Sequence, residues 1–104
     1  MTAEPSPSVR LRLAIQGGSV LAALSAAAEM RRVSLVDALD LCRLMAQVGD
    51  ERYPRAAGRW LARFHAETGA TLAELTVAAG ALAQLREDPG SRFAIETLEK
   101  LMSE

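Results

Sequence analysis

Four aromatic residues, one cysteine, one histidine and one lysine are all that 104 residues supply of those types. Each scarcity excludes something. Cys42 stands alone, so no intramolecular disulfide can form. With His65 as the single imidazole there is no cluster of His and Cys to hold zinc, and no metal or other cofactor is expected. No apolar run reaches the ~20 residues of a membrane span, so a membrane is not among the expected partners. Gly17-Gly18 has neither the glycine spacing nor the lysine of a phosphate-binding loop. Ser25, Ser34 and Ser91 lack the surroundings of a nucleophile elbow, and the last two are explained as helix caps. As an acid–base group His65 would need a cleft and a partner; as a surface residue it needs nothing. No catalytic signature remains, and a non-enzymatic protein is the expectation.

What the chain has in abundance is alanine and leucine, 20 and 15 residues. Both lose little side-chain freedom in a helix, so the expected class is all-α. Eleven arginines carry almost all the positive charge against 13 carboxylates, for a net charge of −1. Whole-molecule steering toward nucleic acid is therefore not expected. The charge is uneven: residues 1 to 65 hold nine cations and six carboxylates, residues 66 to 104 three and seven. Such polarity suits head-to-tail self-association, and a homodimer is one expectation. Arg10 and Arg12 ahead of LAIQGGSVLAALSAAA imitate a secretory segment. Glu4 and the polar break Gln16-Gly17-Gly18-Ser19 argue against it, so a cytoplasmic location is expected.

Residues 1 to 8, with Pro5 and Pro7 among small polar residues, read as a disordered lead-in to a single helical domain over 9 to 104. VRLRLAI, residues 9 to 15, alternates like a strand but has no partner strand, so a short helix or an extended arm is expected. Ser19 then caps a helix to about Arg32. Ser34-Leu35-Val36-Asp37 is a capping signal for a helix ending at Gly49, and Thr71-Leu72-Ala73-Glu74 repeats it for a helix to about Arg86. Between them a helix from Asp50–Pro54 to Gly69 is expected, and after Pro89-Gly90 Ser91 caps a last one with Phe93, Leu98 and Leu101 toward the core. About five antiparallel helices in a compact bundle or a hairpin stack follow. Gly58 and Gly80, inside helices, suggest tight helix packing. Met30, Met45, Met102 and Cys42 could soften a groove for a partner helix, or simply fill gaps.

The densest stretch is RYPRAAGRWLARFH, residues 52 to 65. At about 100° per residue, Tyr53, Ala57, Trp60, Leu61 and Phe64 share one face within about 80°. Arg52, Arg55, Arg59 and Arg63 form a second stripe bordering it. These four are the candidate site. Either they lie over the core edge and pair with Asp50, Glu51, Glu67, Asp37 or Asp40, or they bind an anionic partner through guanidinium forks. Trp60 has an inward phase and reads as core.

GDERYPRAAGRWLARF after LDLCRLMAQV resembles the helical hairpin of tetratricopeptide-type repeats, its small and aromatic positions about two residues late; that resemblance implies a protein-interaction scaffold. The two capping segments, 37 residues apart, fall within helical-hairpin repeat spacing. Over residues 34 to 85 the chain resembles small Ala/Arg-rich helical proteins of high-GC actinobacterial genomes, through a capping box, R-Y-x-R-A-A-x-R-W-L and a second box. That resemblance implies fold and source. The run L-x-E-L-x-x-x-A-G in TLAELTVAAGALAQL resembles the first helix and turn of a helix-turn-helix domain, but Arg86 and Pro89 interrupt its second half. The expected function is a protein-interaction module that binds an acidic partner face or self-associates. A nucleic-acid-associated accessory protein using the same stripe, or the segment 71 to 86, is the alternative.

Overall fold

Short side-chain oxygens start five of the six helices. In the computed structural model, which describes residues 5–103, Ser6, Ser19, Ser34, Thr71 and Ser91 each accept the backbone N–H three residues ahead at 3.1–3.3 Å. Each such cap contributes about 0.5–2 kcal/mol by satisfying a donor the helix leaves open. They begin α1 (Pro7–Gln16), α2 (Val20–Ala28), α3 (Leu35–Val48), α5 (Leu72–Glu87) and α6 (Arg92–Met102). The sixth, α4 (Tyr53–Thr68), lacks a side-chain cap on Arg52; the Asp50 carboxylate accepts the Arg52 N–H at 2.9 Å instead. Gly49 and Gly69 close α3 and α4 with φ of +68°, a conformation costly for any residue with a Cβ.

The helices pack as three successive hairpins, α1–α2, α3–α4 and α5–α6. α4 lies against α5, and both α1 and α2 rest on α3, giving an elongated stack of 51 × 28 × 21 Å. One hydrophobic cluster runs through it from Leu11 to Leu98. At its centre Trp60 and Phe64, one turn apart on α4, stack with centroids 5.2 Å apart and planes 8° from parallel. Two buried polar tips tie α4 to its neighbours: Trp60 Nε1 donates to the Leu35 carbonyl at 2.9 Å, and the Tyr53 hydroxyl to the Leu82 carbonyl at 2.6 Å. Among the described residues no helix is long and apolar enough to cross a membrane.

The class is all-α as expected, with six helices among the described residues and not about five. The sixth is the segment at Val9, which forms α1 with Ser6 as its cap. α1 begins at Pro7, so the expected lead-in over residues 1 to 8 overlaps a helix at Pro7 and Ser8; residues 1–4 lie outside the described residues. α2 stops at Ala28 and not near Arg32: Glu29 turns to meet Arg10 at 2.8 Å and the chain runs without helix to Ser34. Phe93, expected in the core, is 72% exposed. Ala94 and Leu98 set the inward face of α6, and Phe93 lies about 100° off it. Gly58 and Gly80 serve no tight packing, since a Cβ at either would meet nothing within 4 Å. Only Thr71–Glu74 makes both bonds of a capping box; Asp37 turns to Arg12 at 3.8 Å. α5 passes through Gly80 unbroken, which removes the helix-turn-helix resemblance.

Candidate functional site

The inward stripe of α4 is as the phase predicts: Tyr53, Ala57, Trp60 and Phe64 are buried. Beside it, Arg52, Arg55, Arg59 and Arg63 form one rim of an open groove of about 410 Å³. Leu24 of α2 stands on the opposite side, and one end is closed where Arg63 Nη2 donates to the carbonyl of Val33, in the α2–α3 connection, at 2.7 Å. Ala38, Leu41, Cys42 and Met45 of α3, with Ala56 and Trp60 of α4, line the rest. No carboxylate lines it. Cys42 and Met45 are thus part of a groove, while Met30 packs against the core and Met102 lines a different depression.

The four arginines do not share one fate. Arg52 grips Asp50 with a fork, Nε at 2.9 Å and Nη2 at 2.7 Å, and this charge-assisted contact holds the Asp50 carboxyl down at about 2. Arg63 donates from Nε to Glu67 at 2.7 Å and from Nη2 to the Val33 carbonyl at 2.7 Å. Glu67 also meets Arg32 at 3.3 Å, and its carboxyl is held below its usual range by the Arg63 hydrogen bond first. Arg55 and Arg59 are exposed and make no ion pair or side-chain hydrogen bond among the described residues. Of the carboxylates the sequence offers as partners, Asp37 faces Arg12 and Asp40 faces Arg43. The stripe is two engaged cations bracketing two free ones.

Nothing in the groove is poised for chemistry. Burial pushes the Cys42 thiol up to about 11, leaving it protonated and a weak nucleophile near neutral pH. Trp60 is 1% exposed and its N–H is committed to Leu35, so it offers no stacking face. His65 points away, its Nδ1–H donating to the Ala70 carbonyl at 3.1 Å across the α4–α5 turn. Among the described residues no three His, Cys, Asp or Glu side chains gather as metal ligands. Further depressions lie elsewhere, among them one between α3 and α6 lined by Asp40, Arg43 and Glu99 with apolar neighbours, and one between α4 and α5 beside Gly58. The arginines are legible in the sequence, whereas Leu24 and Val33 are not, because their approach to α4 depends on how the α1–α2 hairpin rests on α3. No protein family, curated protein or solved structure matches the chain.

Proposed function

We propose that the protein is a non-enzymatic, cytoplasmic interaction module that binds an acidic face of a partner protein through the edge of α4. The observation that carries this reading is the pair Arg55 and Arg59, two adjacent guanidinium groups with no carboxylate partner among the described residues, beside an apolar groove. Elsewhere most cations of the described chain sit near a carboxylate, Arg10, Arg12, Arg32, Arg43 and Arg92 among them. A free guanidinium pair next to apolar surface is arranged for charge-assisted contact that excludes water. The polar break at Gln16–Ser19 weighs for the cytoplasm.

Nucleic acid is the weaker reading. Two free cations are few for a phosphate backbone, and the one indole at the groove is buried. The test is a pull-down from native lysate, nuclease-treated and untreated, with wild type and Arg55→Glu/Arg59→Glu. A protein retained by wild type and lost by the variant supports the reading. Identical capture by both, or capture that disappears with nuclease, refutes it.

A further inference from the structure

The groove is bounded on two sides by helices and floored by a third. α2 and α4 both pack on α3 but make at most marginal contact with each other, and the space between them is the groove. Its rims differ in kind: guanidinium groups along the α4 edge and aliphatic Leu24 opposite, with Arg63 closing one end by its 2.7 Å bond to the Val33 carbonyl. Along α4 the stripe from Arg52 to Arg63 covers three turns, about 16 Å at 1.5 Å per residue. The free cations Arg55 and Arg59 stand four residues apart, with about 6 Å of rise between them.

We propose that the groove receives a single amphipathic helix of a partner protein, with two carboxylates four residues apart pairing with Arg55 and Arg59 and an apolar edge filling the side of Leu24. This rests on the reading of the arginine edge as a surface for an acidic protein and adds the form of what binds there. A helix lying alongside α4 has the same rise, so carboxylates at i and i+4 meet Arg55 and Arg59 together. An extended peptide fits worse, because its backbone N–H and C=O groups would lie over an aliphatic floor with no partners, whereas a helix satisfies its own. Arg52 and Arg63 keep Asp50 and Glu67 and hold the ends of the rim in place. About two turns of the partner suffice to span the open rim from Arg52 to Arg59, short of the end that Arg63 and Val33 close.

The experiment is a selection from two displayed random libraries, one carrying 14-residue segments in a helical scaffold, the other carrying them in a flexible loop. The bait is the full chain. The leading sequences are made as labelled peptides and titrated against wild type, Arg55→Glu/Arg59→Glu and, as a charge-matched control, Arg31→Glu/Arg86→Glu. All these arginines are exposed, and circular dichroism with Trp60 emission verifies that each variant is folded. The expected result is enrichment from the helical library of sequences with Asp or Glu at i and i+4 along an apolar edge. Their affinity should fall about tenfold or more in Arg55→Glu/Arg59→Glu and hold in the control. A peptide with lysines at the two acidic positions should recover binding to the Arg55→Glu/Arg59→Glu protein.

The failures separate. Arginine-dependent acidic sequences from the flexible library alone would overturn the helix while leaving the acidic-partner reading intact. Selected sequences that bind both variants equally, or no enrichment from either library, would overturn both. A 20-nucleotide single strand bound more tightly than any selected peptide, and lost in Arg55→Glu/Arg59→Glu, would replace the helix with nucleic acid.

Discussion

The hydroxyl of Tyr53 donates to the carbonyl of Leu82 at 2.6 Å, joining the first turn of α4 to the last third of α5 across 29 residues. The ring is buried, and burial first, then the nearby Cys42 thiol, pushes the phenol up to about 12. A phenol whose folded pKa is raised supplies stability that is complete below its unfolded value and lost as pH climbs through the folded one. The window here runs from about 10 to about 12. Tyr53→Phe keeps the ring and removes the bond. It should cost about 1 kcal/mol, the usual net worth of a buried hydrogen bond, and lower Tm by about 4–8 °C. It should also flatten the fall in stability above pH about 10. Thermal melts of both proteins across pH 7 to 11 decide it; identical curves would mean the bond adds nothing.

Gly58 and Gly80 give a prediction of opposite sign. Each sits inside a helix with open space where a Cβ would be. Alanine at either position loses no contact and reduces the freedom of the unfolded chain, so each change should stabilise by about 0.5–1 kcal/mol. Gly49→Ala, at φ +68°, should destabilise. Urea titration of the three variants is sufficient. A loss of stability at Gly80→Ala would contradict the open space seen there.

Asp40 faces the depression between α3 and α6, with the Arg43 guanidinium 3.9 Å away. Burial is the largest influence and raises its carboxyl above the usual value; Arg43 opposes this, and Asp37 and Glu99 add to it. The folded state therefore holds this proton more tightly than the unfolded one, and stability is recovered as pH falls through the raised pKa. Asp40→Asn removes the charge and should raise Tm at pH 7, with the gain vanishing near pH 3, where both side chains are neutral. A lower Tm at pH 7 would show that attraction to Arg43 outweighs desolvation.

The features that read correctly from sequence are those decided within one or two turns. Ser34, Thr71 and Ser91 start helices and Gly49 and Gly69 stop them because the capping oxygen or the positive φ acts on its own neighbours. The face of Tyr53, Ala57, Trp60 and Phe64 follows from the helical period alone. Phe93 went outward because residue type suggested the core while phase, set by Ala94 and Leu98, decided the matter. The end of α2 had no local marker: nothing in Ala28-Glu29-Met30-Arg31-Arg32 breaks a helix, and the stop coincides with the reach of Glu29 to Arg10 and of Val33 to Arg63. The groove was illegible for the same reason. Its arginines lie within 12 consecutive residues, but the wall that makes them a rim comes from Leu24 and Val33.

That wall belongs to a hairpin with little other attachment. α1 and α2 pack mainly on each other and meet the rest of the molecule chiefly through α3, with Arg63 holding Val33 and Glu67 reaching Arg32 along the connection. An occupant pressed between Leu24 and the α4 edge would bridge two bodies otherwise joined along a thin seam. Amide hydrogen exchange from Leu11 to Ala26 would then slow when the groove fills, though the charges that recruit the occupant lie on a helix these residues scarcely touch. Protection of the first hairpin would be a remote gauge of what sits on the arginines.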